Sequence, residues 1–137
     1  MNPIDHDIPE AELDVLSALW RLRHGTVRDV RAALEERGRT LAHNTVLTLL
    51  GRLEQRGCVA CNRDGAANVY RPVVTRRRVA RRRLGQLVEQ LGGGDAAPLI
   101  LQLLRDHRLS QDDLRELREL VAKLESQNRR EGGPDDA

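Results

Sequence analysis

Apolar residues recur along this chain at helical spacing, in blocks with clear stops between them. Pro9 stands where a first helical position would be, and Leu13, Leu16, Leu19 and Trp20 follow at intervals suited to one helix face up to Gly25. Thr26, with Asp29 three residues later, has the form of a capping box; Val27, Val30 and Leu34 mark a second helix, and Gly38 closes it. In "HNTVLTLLGRLEQRGCV", His43 to Val59, the apolar positions are Val46, Leu49, Leu50 and Leu53, with a break at Gly57. This predicts a third helix, capped by Thr40 or entered through Asn44.

The period then changes. "CVACNRDGAANVYRPV" places two short β-prone runs around Asp64-Gly65, with Val69 and Tyr70 anchoring the return and Pro72 ending it, which predicts a hairpin. Three helices followed by a two-stranded ribbon make a winged helix, a helix-turn-helix variant. Beyond it, Ala80, Leu84, Leu87, Val88 and Leu91 stripe a fourth helix that stops at Gly92, Gly93 and Gly94. Pro98 opens a short helix, "PLILQLL", carrying Leu99 and Leu103 and apolar on nearly every side, so it is expected to be enclosed. Ser110 with Asp113 starts a last helix, with Leu109 and Leu114 placed as a hydrophobic staple and Leu114, Leu117, Val121 and Leu124 at a and d spacing.

The expected fold is therefore mainly α with a small β-hairpin wing. It divides into a winged-helix DNA-binding domain (1–74), a helical dimerisation domain (75–125) and a disordered tail (126–137). Three thin helices bury such stripes poorly among themselves, so an intertwined two-fold dimer is favoured over a monomeric helical cap. Its seam would use Leu84, Leu87, Leu91, Leu99, Leu103, Leu114, Leu117, Val121 and Leu124.

Charge sharpens the picture. The net charge of +2 hides a segregation: residues 1–36 hold four Arg against eight acids, residues 37–83 hold twelve Arg against Glu54 and Asp64, and the remainder is acidic again. A basic middle in an otherwise acidic chain is the footprint expected of a surface that neutralises phosphates, although a solvated arginine-rich face would look similar. On the third helix, the side opposite the apolar stripe carries Asn44, Thr48, Gly51 and Gln55, flanked by Thr45 and Arg52. Small polar side chains let a helix sink into the major groove, where Asn and Gln can read adenine, Thr can bond to a base edge or phosphate, and Arg can grip guanine or phosphate. Arg63 and Arg71 flank the hairpin where a wing meets the backbone, and Arg76, Arg77 and Arg78 open a run of six Arg in eight residues that could add phosphate contacts.

Other chemistry is sparse. Serines occur only at 17, 110 and 126, none in a nucleophile motif, and there is no phosphate loop or dinucleotide fingerprint, so an enzyme is not expected. Cys58 and Cys61 lack the second pair or spaced histidines of a zinc site. Small core residues are the expected identity, a redox switch of DNA binding the alternative. No cofactor or metal is expected. No apolar run approaches the roughly 20 residues of a membrane helix, so a cytoplasmic protein without membrane insertion is expected.

These residues carry a family resemblance. "TVLTLLGRLEQRGCV" followed by "NVYRPVV" resembles the T-V-x-T-L-L-x-R-L-x-x-K-G and Y-x-Y-x-P signatures of the penicillinase repressor (BlaI/MecI-like) family. "ELDVLSALW" is similar to that family's first helix, and the likeness continues through "LSQDDLRELREL". The resemblance implies a homodimeric transcriptional repressor acting on a short palindromic operator, with roles in antibiotic-resistance regulation. For some members it also implies inactivation by a sensor-protease pathway. Two departures stand out: the arginine run lies where relatives tend to be acidic, and Gln102-Leu103 occupies the position where cleaved members show Asn-Phe. The alternative from another class is a winged-helix interaction module that binds an acidic protein or RNA without a specific operator.

Overall fold

The structure, a computed structural model, describes residues 7–131. Helix α1 (Glu10–Leu22) starts after Pro9, which sits at the N-cap rather than in the first turn. It stops at Leu22, three residues before the expected Gly25, and the next residue, Arg23, takes a left-handed φ of 74° and returns its N–H to the Leu19 carbonyl. Gly25 is used differently. Its N–H donates to the Tyr70 carbonyl at 2.9 Å and its carbonyl accepts from Tyr70 N–H at 2.8 Å, a bridge across 45 positions that no local pattern announces. A side chain there would press on Asp29, whose Cβ lies 3.0 Å from where a Cβ on residue 25 would stand.

Helix α2 (Val27–Glu36) begins with the predicted capping box: the Asp29 N–H donates to Thr26 Oγ1 and the Thr26 N–H to Asp29 Oδ2. The bond from the Thr26 N–H, the largest cause, holds the Asp29 carboxyl below its ordinary pKa, because it favours the charged form. Helix α3 (His43–Gln55) is capped by Ala42, without a side-chain bond, and neither Thr40 nor Asn44 does that work. The entry is set instead by Leu41, packed against the core, and by Arg31, whose Nε donates to the Leu41 carbonyl at 2.8 Å across the turn. Both α2 and α3 close with a left-handed glycine. Gly38 and Gly57 have φ near 80°, and the following N–H groups of Arg39 and Cys58 return to the carbonyls of Leu34 and Leu53.

Strands β1 (Val59–Asn62) and β2 (Val69–Pro72) pair antiparallel, with Cys61 opposite Tyr70 and Ala60 opposite Arg71. Asp64-Gly65 lies in their connection, where Asn62 Oδ1 accepts the Asp64 N–H at 2.9 Å. The core beneath is aliphatic: Val15, Leu16, Ala18 and Leu19 of α1 meet Val30 and Leu34 of α2 and Val46, Leu50 and Leu53 of α3, with Cys58, Tyr70, Val74 and Val79 closing it. Each fully buried leucine contributes about 2 kcal/mol by removal from water. A carboxyl side chain lies inside as well. Glu12 is 1% exposed and accepts from Arg56 Nε at 3.2 Å, tying the start of α1 to the end of α3.

Helix α4 (Arg76–Leu91) is followed by α5 (Ala97–Asp106) and α6 (Gln111–Glu131). Contacts divide the chain into two compact units between Leu87 and Val88, inside α4 rather than ahead of it. The reason is that α4 begins on the winged helix: Val79 is in its core, and the Arg76 guanidinium lies 5.7 Å from the centre of the Trp20 ring, whose Nε1–H donates to the Val74 carbonyl. In the second unit, α6 starts as predicted, with the Asp113 N–H donating to Ser110 Oγ. It does not stop at Glu125. Residues 126–131, expected to open a disordered tail, continue the helix because Gln, Arg and Glu are good helix formers and no breaker precedes Gly132. The rest of that tail lies outside the described residues. Among the described residues, no helix is long and apolar enough to cross a membrane.

Candidate nucleic-acid interface

The α3 stripe of Val46, Leu49, Leu50 and Leu53 is buried, which turns the opposite side to solvent. Asn44, Thr45, Thr48, Arg52 and Gln55 are all exposed there, as predicted from their spacing. Nothing lies within 4 Å of where a Gly51 side chain would stand, so the middle of this face is flat and open. The Thr48 hydroxyl donates to the Asn44 carbonyl at 2.9 Å, leaving its oxygen lone pairs and methyl group to meet a ligand.

The wing arginines are placed unequally. Arg71 is exposed on β2. Arg63 is exposed too, but its Nη1 and Nη2 donate to the two Glu54 oxygens at 2.8 and 2.7 Å, a bidentate pair that moors the hairpin to α3. The pair holds the Glu54 carboxyl below its usual range and raises the Arg63 guanidinium. Glu54 was not singled out from the sequence, since only the fold brings it to Arg63.

The arginine run also separates by role. Arg76 holds its guanidinium over the Trp20 ring, and Arg77 and Arg78 are exposed near the start of α4. Arg83 Nη1 reaches the Ile8 carbonyl at 3.4 Å, and Arg82 Nε lies 3.9 Å from Asp7.

Cys58 is buried and Cys61 half-buried, and neither is in a disulfide. Burial pushes the Cys58 thiol up, away from the reactive thiolate. Among the described residues, no group of three or more His, Cys, Asp or Glu is placed to hold a metal ion.

From Leu84 onward, the apolar residues of α4, α5 and α6 are exposed or half-buried. No residue of α5 or α6 is buried, so among the described residues α5 does not find the enclosure expected for it. Leu84, Leu87, Leu91, Leu103, Val121 and Leu124 are exposed, together with Ile100, Leu101, Leu104 and Leu120, while Leu99, Leu114 and Leu117 are half-buried. Gln102-Leu103 lies in the middle of α5, where Gln102 Nε2 donates to Asp106 Oδ2.

A helix-turn-helix whose third helix presents a polar face, with a hairpin moored beside it, defines a winged-helix protein. The model of the penicillinase repressor family matches residues 8–123. The chain belongs to this family of transcriptional repressors. It is 34% identical over 119 residues to the transcriptional regulator BlaI of Mycobacterium tuberculosis, covering 85% of this chain and 84% of that one. It is 22% identical over 123 residues to the methicillin resistance regulatory protein MecI of Mammaliicoccus sciuri, covering 90% and 99%. Among solved structures, a CopR repressor is 30% identical with a TM-score of 0.40, covering 51% of this chain and all of that one. A MarR family protein from Bacillus stearothermophilus is 18% identical with a TM-score of 0.46, covering 90% and 76%.

Proposed function

We propose that the chain is a homodimeric, sequence-specific repressor that binds a palindromic operator through α3 and the wing. The observation that carries this is the outer face of α3: five exposed hydrogen-bonding side chains, at 44, 45, 48, 52 and 55, around a glycine that lets the helix approach closely. Asn44 and Gln55 are suited to adenine, Arg52 to guanine or phosphate, and Arg71 to the backbone beside the wing. Arg63 acts first by positioning the hairpin, because Glu54 already occupies its guanidinium. The N-terminal unit supplies DNA binding and the C-terminal helices supply the two-fold partner surface, since their exposed leucines need cover. A two-fold dimer reads two half-sites about one helical turn apart, or a multiple of it. Release by a sensor-protease pathway at Gln102-Leu103 is disfavoured, because that bond is in regular helix and lacks the Asn-Phe pair.

The test is anisotropy binding to the DNA upstream of the chain's own gene, beside a scrambled duplex, over a salt series. Tight binding to the upstream DNA that survives physiological salt, with scrambled binding lost, is the expected result. Equal, salt-labile binding to both would leave either an operator elsewhere or the interaction-module reading, and would move attention to protein partners. In the same assay Thr48→Ala is expected to cost about 1 kcal/mol per half-site on the operator and nothing on scrambled DNA. Equal loss on both duplexes would reassign Thr48 to phosphate. Replacing Arg77 and Arg78 by glutamine should flatten the slope of log affinity against log salt by about 0.9 for each phosphate contact removed. An unchanged slope would leave those arginines as a solvated face.

A further inference from the structure

The outer face of α3 holds one residue that hydrogen bonding does not explain. Leu47 is 40% exposed, although its neighbours Val46, Leu49 and Leu50 are in the core. It stands one turn after Asn44 and one turn before Gly51, so it shares the polar face. Gly51 offers no side chain beside it, and the Leu47 methyls therefore stand at the surface without a shoulder on that side. Next to it, the Thr48 hydroxyl spends its hydrogen-bond donor on the Asn44 carbonyl and leaves a methyl group and acceptor lone pairs. Leu47 and Thr48 together form a small apolar step among hydrogen-bonding groups.

The edges of base pairs in the major groove offer donors, acceptors and one apolar feature, the thymine C5 methyl. We infer that Leu47 is a specificity-determining residue that packs on a thymine methyl in each half-site. This rests on the proposed DNA-binding role of α3 and adds to it a contact that the polar residues cannot make. The chemistry is discriminating because leucine has nothing to bond to a cytosine amine or a guanine carbonyl. Covering either one leaves a polar group unpaired.

The experiment uses the full-length chain. A random-sequence duplex pool is selected for binding, and each thymine of the enriched half-site is then replaced by deoxyuridine, which removes the methyl and nothing else. For the wild-type chain, each such replacement is expected to weaken binding about fourfold, the factor for one methyl-sized group withdrawn from water, so that one in each half-site weakens it about sixteenfold. Leu47→Ala should bind more weakly and be indifferent to that replacement, whereas Leu47→Met, which keeps an apolar reach, should stay sensitive. A Leu47→Ala chain as sensitive to deoxyuridine as the wild type, or a half-site at which no replacement matters, would overturn the assignment while leaving the operator reading intact. A pool in which no sequence is enriched would overturn both. Because Leu47 is outside the core, its variants should unfold at the wild-type temperature, so binding losses are read as losses at the interface.

Discussion

Replacing Leu103 by glutamate is expected to leave the chain monomeric and to lower its operator affinity by about 10² to 10⁴-fold, the factor lost when two linked half-site contacts become independent. Leu103 is 52% exposed in the single chain, on a helix whose apolar residues find no buried place within it. A glutamate there costs the folded monomer little, because its helix propensity is close to that of leucine and its carboxylate stays in water. In a dimer the same carboxylate would be sealed against apolar side chains, and burying an unpaired charge is expensive enough to prevent association. Sedimentation velocity reads the oligomeric state and anisotropy the affinity. A Leu103→Glu chain that still sediments as a dimer and still binds its operator would move the two-fold interface away from α5.

The second large effect is on stability. Leu50→Ala is expected to destabilise the winged helix by about 2 to 5 kcal/mol, the range for removing a leucine from a well-packed interior. Leu50 is fully buried on α3 among the side chains of the core. A loss of that size is a large share of the stability of a small domain and should lower the melting temperature by about 10 °C or more. Circular dichroism on heating checks it, with Leu47→Ala as the internal comparison: the same substitution, three residues away on the same helix, should leave the melt nearly unchanged. Similar shifts for both would contradict the division of α3 into a buried and an open side.

Much of this was legible in the chain because it depends on neighbours. The stripe of Val46, Leu49, Leu50 and Leu53 declared which side of α3 is inside, and so which side holds Asn44, Thr48 and Gln55. Thr26 and Asp29 lie within a turn of each other, and their capping box followed from that alone. What stayed hidden depends on distance along the chain. Glu12 looked like an ordinary first-turn acid until Arg56 was brought to it, and Gly25 looked like a helix stop until Tyr70 arrived to pair with it. Leu47 was hidden for another reason. Leucine on the polar side of a helix violates no spacing rule, and only its exposure in the fold separates it from the leucines nearby.

The fork between Arg63 and Glu54 divides labour along α3 in a way that matters for anyone redesigning it. Val46, Leu49, Leu50 and Leu53 belong to the scaffold, and Glu54 is shared between the helix and the hairpin. The positions at 44, 45, 47, 48, 52 and 55 answer to neither, and surface substitutions of that kind usually cost less than about 0.5 kcal/mol. The helix can therefore be given a new vocabulary without being rebuilt, provided residue 54 keeps its grip on the wing.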